Sequence, residues 1–421
     1  MIKLSITLSA VLLLISLPIF LVFGIGSTLV AREALDLPWT QLVQTSVGAI
    51  SKHLLLAVPL FIFAGYVMVA GGMAARLVSL CIALVGHWPG GLGIAMVLSM
   101  GFFAAFCGSI LAAITAIGTI LMPRMIEEGY PAPFVVVLAA MAALIEGLIP
   151  PSNAAIIYSA LTSVPVAQTF AAGIIPGLVL AVLLIVFVAV SCRAMPRSRR
   201  ASWSERARAT WAALPALVTP FIILGGIYGG IFTAAESAAV AGLWAIFAGF
   251  VIYRELAPRS LLNALIAATL ATAVIFVIIA MATLLSVILT FTRTPQILVE
   301  WFLGWGSTAF VFLLMVALAC LILGTFIEVV PIFYILIPIT LPILPVLAVD
   351  PLHFYIVLGA FIGMGMLTPP VCLGLYTAAA VVSLPPQRAF AQVPKFLALG
   401  LFYGLLMILF PILSTWLPSR L

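Results

Sequence analysis

The sequence predicts an all-α polytopic membrane protein built from two inverted structural repeats, each with a re-entrant helical hairpin and a broken transmembrane helix. Three observations predict it. The 421 residues are 66% hydrophobic and only 7% charged, with a mean hydropathy of +1.39, which excludes an ordinary soluble domain. Two long apolar runs are each interrupted by adjacent prolines, in LIPPSN at Leu148 to Asn153 and LTPPVC at Leu367 to Cys372. Finally, a shift of 219 or 220 positions superposes much of one half of the chain on the other.

Apolar runs near 4–30, 44–70, 134–161, 172–192, 214–232, 235–253, 261–290, 354–383 and 396–417 each reach the roughly 20 residues that cross a bilayer core. The first follows Lys3, as in a signal peptide. Its run exceeds a usual h-region and lacks a small-x-small cleavage site, so it reads as a retained helix. Between the runs no loop is long enough to fold alone.

The proline pairs organise the rest. Proline has no N–H and its ring clashes with the carbonyl four residues back, and it pushes its predecessor, here Ile149 or Thr368, out of helical conformation. Each run therefore breaks, at about 134–161 and 354–383, leaving unpaired backbone groups at membrane depth. Such groups are tolerated where they are buried in protein or line a wet cavity, which makes paired broken helices a pointer to a transport site.

The internal repeat sets Pro123 on Pro342, Pro131 on Pro351, Phe134 on Phe354, Pro150 on Pro369 and Phe170 on Phe390. Upstream of each break lies a pair of apolar arms. One pair covers about 92–122 and turns at Cys107 to Ser109; the other covers about 308–347 and turns at Gly324 to Glu328. Both read as re-entrant hairpins. Before each comes a short segment, Met73 to His87 and Pro295 to Trp305, placed as an interfacial arm helix. The organisation is thus a first repeat over 1–192, a basic linker over 193–213 and a second repeat over 214–421.

The linker carries six arginines against one glutamate between Arg193 and Arg208, so the positive-inside rule makes it cytoplasmic. Threading outward from it puts Lys3 and the N-terminus, Arg76, Arg124, Arg254, Arg259, Arg388 and Lys395 on the same side, thirteen of the 17 basic residues. The first broken helix then runs outward and the second inward. The linker arginines read as this topology signal beside anionic lipid headgroups and not as a nucleic-acid site.

Five scattered cysteines and three distant histidines offer no disulfide framework or transition-metal site. There is no nucleotide-binding motif, no HExxH and no GxSxG, so neither ATP hydrolysis nor an intramembrane enzyme is expected from this chain. Thr233 and Glu236 have capping-box spacing. Trp39, Trp88, Trp301, Trp305 and Trp416 sit near span ends as interfacial anchors. Cys107 and Cys372 read as small packing residues. Asn153 and Cys372, where helix resumes after each break, form the vicinity in which a carboxylate would be favoured.

With these motifs assembled, the chain resembles the large membrane subunit of the TRAP transporters, the DctM-like permeases. The matching stretches are PLFIFAG (Pro59 to Gly65), CGSILAAITAIGTILMP (Cys107 to Pro123), EEGYP (Glu127 to Pro131), GLIPPS (Gly147 to Ser152), FTAAES (Phe232 to Ser237), FIEVVPIFYILIPITLPI (Phe326 to Ile343), DPLHF (Asp350 to Phe354) and GMLTPPV (Gly365 to Val371). The resemblance implies an elevator-type secondary transporter in a bacterial inner membrane. It implies sodium-coupled uptake of a small organic acid, a small four-helix DctQ-like membrane partner and a periplasmic solute-binding protein, with no organic cofactor. It also places one cation site at Gly108, Ser109, Gly147, Pro150 and Ser152, and another at Gly324, Thr325, Glu328, Gly365, Thr368 and Pro370. Sodium, a hard cation, suits carbonyl and hydroxyl oxygens.

Two positions depart from the family pattern. The first hairpin tip usually reads Ser-Gly-Ser-Ala, and here Cys107 removes one hydroxyl. Where a small or hydroxyl residue usually precedes the first break stands Glu146, a carboxylate at membrane depth that reads as a passive hydrogen-bonded group facing protein, with a coupling group for protons or an altered cation site as the alternative. The alternative to a tripartite system is a stand-alone sodium- or proton-coupled carboxylate carrier.

Overall fold

The computed structural model describes residues 17–33, 35–304 and 308–421. Lys3, the start of the first apolar run, Trp305 and the side chain of Trp301 lie outside the described residues. Among the described residues the chain is helical, with no strand. Among the described residues seven helices are long and apolar enough to cross a membrane, or up to eight if the bent pair counts as one.

The first half begins with α1 (Ile19–Glu33), α2 (Trp39–Ile50) and α3 (Ala57–Ala70), the last preceded by a 3-10 turn at His53–Leu56. The run read as one span over 44–70 is therefore two elements. The polar Ser51-Lys52-His53 step divides it, and α2 lies with Trp39, Val43 and Val47 exposed. Next come α4 (Met73–Val85), the hairpin arms α5 (Gly91–Cys107) and α6 (Ile110–Glu127), then α7 (Ala132–Ala142), α8 (Leu144–Leu148) and α9 (Asn153–Thr162) around the first break. The axis bends by 42° there, and Ile149 is extended at φ −70° and ψ 130°, as its proline neighbour requires. Arm α6, expected to stop near 122, continues through Pro123 to Glu127 and so is itself long enough to span.

α10 (Val166–Ser191) closes the first half and α11 (Trp203–Tyr228) opens the second. The linker is shorter than 193–213 because α11 starts at Trp203. Its N-cap Ser202 accepts from the Glu205 N–H while Glu205 accepts from the Ser202 N–H, a capping box that satisfies two end groups at once. Thr233 and Glu236 form the same box at the head of α12 (Ala234–Phe247), as their spacing predicted. Then follow α13 (Pro258–Phe291), α14 (Thr294–Gly304), the arms α15 (Ala309–Gly324) and α16 (Val329–Thr340), and α17 (Pro351–Gly365) and α18 (Leu373–Val381) around the second break. α19 (Val393–Leu409) and α20 (Ile412–Thr415) end the chain.

The two halves interlock. α9 packs on α16 and α18 packs on α6, so the helix resuming after each break lies against a hairpin arm of the other half. Tyr158 of α9 ties three elements together, its ring tilted against Tyr355 at 5.0 Å and edge-to-face with Phe333 at 6.0 Å while its hydroxyl donates to the Pro351 carbonyl at 2.6 Å. The 34-residue α13 runs along α1, α2, α3 and α16. Outward faces are apolar, as in Leu178, Val182, Val186 and Val190 of α10, spaced four apart and all exposed. That pattern suits a lipid environment, which imposes no penalty on exposed hydrocarbon.

The arm helix α4 is clamped to the loop before α13. Arg76 meets both carboxylate oxygens of Glu255 at 2.7 and 3.0 Å, donates to the Gly72 carbonyl at 2.9 Å and lies 3.9 Å over the Tyr253 ring. The hydrogen bonds from Arg76 hold the Glu255 carboxyl below the ordinary carboxylate range. A depressed folded-state pKa adds stability above the unfolded value and loses it as pH falls through the folded one. Arg76→Ala should lower thermal stability modestly near neutral pH, by about 1 kcal/mol or less for so exposed a pair. Melting curves should show the gap from wild type closing on acidification below the ordinary carboxylate range, whereas a gap independent of pH would assign the effect to packing on Tyr253.

Candidate cation and solute site at the hairpin tips

Each hairpin tip is hydrogen-bonded to the point where a broken helix resumes. The Asn153 N–H donates to the Gly108 carbonyl at 3.3 Å, and the Cys372 N–H donates to the Thr325 carbonyl at 3.1 Å. The two junctions are alike in that the residue starting the resumed helix, or capping it, donates its N–H to a carbonyl of a hairpin tip. Both Pro150-Pro151 and Pro369-Pro370 bonds are cis.

At the first junction Gly108 takes φ +65°, and a Cβ there would meet the Pro151 carbonyl oxygen at 2.7 Å, so only glycine fits this tip. Ser152 caps α9 and its hydroxyl donates to the Gly147 carbonyl at 2.9 Å, which also accepts from Tyr355 at 3.2 Å. Glu146 is fully buried. Its Oε1 accepts the Ser109 N–H at 3.0 Å, and its Oε2 is enclosed without a hydrogen-bond partner. Asn153 is also buried; its amide nitrogen donates to the Cys107 carbonyl at 3.5 Å, while its Oδ1 has no partner. Cys107 packs against Gly65, where a Cβ would lie 2.6 Å from its Sγ. The glycine of PLFIFAG thus makes room for the hairpin tip.

At the second junction Gly324 and Gly365 are in backbone contact, a Cβ on Gly365 lying 2.6 Å from the Gly324 Cα. The Thr368 hydroxyl donates to Met364 at 2.9 Å and the Thr325 hydroxyl to Ile322 at 2.8 Å, each satisfying a helix-end carbonyl. Cys372, buried, is the N-cap of α18 and takes φ +38°.

A cavity of about 100 Å³ lies between the tips, lined by Gly108, Ser109, Gly147, Ser152, Asn153 and Glu328 among others. A second cavity, about 430 Å³, shares Ser109, Leu111, Ile275 and Glu328 with it and extends to Tyr66, Thr115 and Thr119. Of the predicted residues, the structure brings four of the first set, Gly108, Ser109, Gly147 and Ser152, together with Asn153. Pro150 turns the chain behind them. Gly324, Thr325, Gly365, Thr368, Pro370 and Cys372 gather at the other junction and do not line the cavity. Glu328 does line it. It stands at the N-cap of α16 yet its side chain makes no capping hydrogen bond. Tyr66, Thr115, Thr119 and Ile275 were missed by sequence reasoning; the four-residue spacing of Thr115 and Thr119 was the available signal for a polar face on α6.

A family model described as the DctM component of the tripartite ATP-independent periplasmic transporters matches residues 6–413. The chain belongs to this family. It is 37% identical over 377 residues to a C4-dicarboxylate TRAP transporter large permease protein DctM of Pseudomonas aeruginosa, covering 88% of each chain. It is 33% identical over 401 residues to an isethionate TRAP transporter permease protein DctMQ of Oleidesulfovibrio alaskensis, covering 93% of this chain but only 62% of that longer one. Among solved structures the fold is similar to the YdaH transporter of Alcanivorax borkumensis, with a TM-score of 0.59, 16% identity and coverage of 88% and 87%. This TRAP large permease is therefore a polytopic membrane transporter component and not an enzyme.

Proposed function

We propose that this TRAP permease takes up a small organic acid, driven by an inward sodium gradient, through elevator-type movement of the unit that carries both hairpins and both broken helices. The observation that carries the reading is the doubled junction, Gly108 with Asn153 and Thr325 with Cys372. Discontinuous helices paired in this way are where secondary transporters hold coupling ions and solute. Sodium ions, as cargo, would be met at the first junction by oxygens of Gly108, Ser109, Gly147 and Ser152. At the second they would be met by Gly324, Thr325, Gly365 and Thr368. Pro150 and Pro370 keep the carbonyls before them free of helical partners.

The proposed setting is the bacterial inner membrane, with the N-terminus and the basic linker cytoplasmic. The partners are a small membrane subunit and a periplasmic solute-binding protein. A relative named DctMQ that is longer than this chain accords with an additional membrane component, and the named solutes of the two relatives, a C4-dicarboxylate and isethionate, are small organic anions. The inverted arrangement of the repeats, read from charge and proline register, supplies the two related conformations that alternating access requires.

Ser109→Ala and Thr368→Ala test the cation sites. Each removes one hydroxyl without adding volume, and each should shift the sodium activation of uptake to higher concentration, by about tenfold, with normal protein levels. Unchanged sodium activation in both variants would rule out ligation by these hydroxyls.

A further inference from the structure

The larger of the two cavities extends from the hairpin tips in one direction. On α3 its wall runs from Gly65, which packs on the first tip at Cys107, to Val69. On α6 it runs from Leu111 to Thr119, about 12 Å along the axis, and on α13 from Ile275 back to Ala271. All three helices lead the same way, toward Arg76, Arg124 and Arg259, on the basic face read as cytoplasmic. The small cavity between the tips abuts it, since Ser109, Ile275 and Glu328 line both. The opposite face is tied across instead. There Lys52, ahead of α3, donates to the Ala160 carbonyl near the end of α9 at 2.7 Å, and the Tyr158 hydroxyl holds α9 to the start of α17.

The chemistry of the wall is uneven. Thr115 and Thr119, both exposed, give their hydroxyl protons to the Leu111 and Ala116 carbonyls, so they offer a solute acceptor oxygens only. No lysine, arginine or histidine lines the cavity. The half-buried Tyr66 hydroxyl makes no hydrogen bond among the described residues. With Ser109 at the tip, Tyr66 is thus one of two hydroxyl donors on the wall free to meet an anion, and an anion leaving bulk water needs donors in exchange.

We propose that this cavity is the vestibule through which the solute leaves toward the cytoplasm, and that Tyr66 donates to the anionic group of the solute once it quits the hairpin tip. The proposal rests on the uptake reading above for what passes through, and adds the route, its side and a positioning residue.

The test labels single cysteines in the full chain, in right-side-out and inside-out membrane vesicles, and so needs no identified solute. The five native cysteines are buried, which makes wild type the blank. Ser51→Cys, at an exposed position beside Lys52, marks the outer face. Thr119→Cys should react with a membrane-impermeant maleimide at least about tenfold faster in inside-out vesicles. The donor is probed at Thr115→Cys with two thiosulfonates, the anionic 2-sulfonatoethyl reagent and the neutral methyl one. Tyr66→Phe deletes one hydroxyl, and should lower the anionic-to-neutral rate ratio by about tenfold, as loss of one hydrogen bond to a charge would. No labelling of Thr119→Cys, or labelling as fast or faster in right-side-out vesicles, would overturn the vestibule. An unchanged rate ratio would overturn the role of Tyr66. If both expected results appear but proteoliposomes show no sodium-driven uptake, the transport reading fails while the vestibule stands.

Discussion

Replacing Gly365 with alanine is expected to abolish uptake. Gly365 and Gly324 bring α17 and the tip of the second hairpin into backbone contact, and a Cβ on Gly365 would sit 2.6 Å from the Leu321 carbonyl oxygen as well as from the Gly324 Cα. Neither neighbour is the end of a flexible side chain, so the backbones must separate. Overpacking of this kind costs about 1–3 kcal/mol. The larger effect is on geometry, because the Thr325 carbonyl and the Cys372 N–H that close the junction lie on the two segments being pushed apart. Uptake should fall by more than about tenfold, with a smaller loss in melting temperature. Gly101→Ala, outside both junctions, is the control, since the nearest atom to its Cβ is in the Ile145 side chain at 3.9 Å. Equal activity of Gly365→Ala and wild type would mean that the close approach at the second junction is not used in transport.

Removing the carboxyl of Glu146 is expected to cost nearly as much. Glu146→Ala deletes the acceptor for the Ser109 N–H in a fully buried setting. An orphaned buried donor costs about 1–3 kcal/mol, to which the vacated volume adds. Glu146→Gln keeps an oxygen on the Ser109 N–H and should retain the fold. The pair of variants separates two roles. If Glu146 only braces the first tip, Glu146→Gln transports normally with the wild-type pH profile. If it carries a coupling proton, Glu146→Gln folds normally and loses the pH dependence of uptake.

Much of this molecule was legible in its sequence. Pro150-Pro151 and Pro369-Pro370 fixed both breaks, because proline acts on its neighbours whatever the fold around it. The T-x-x-E spacing of Thr233 and Glu236 located a helix start, and the same signal in Ser202 and Glu205 was available where the linker was drawn too long. The division of the 44–70 run needed more weight on the three polar residues at 51–53. Other features depend on how distant segments meet. That Glu328 shares a cavity with Ser109 and Asn153, although it was grouped with the second junction, follows from both hairpin tips reaching one cavity. No local pattern encodes that meeting. The contact of Gly65 with Cys107 is of the same kind, a matched glycine explained only once its neighbour is known.

The most direct test of the account is uptake of radiolabelled organic acids into proteoliposomes containing this permease and its small membrane subunit. The assay varies the sodium gradient and the binding protein independently. The account predicts uptake that requires both. Uptake that proceeds without a binding protein would contradict the tripartite reading in favour of a stand-alone carrier. Uptake that follows a pH gradient and ignores sodium would contradict the sodium sites and move the coupling ion to Glu146.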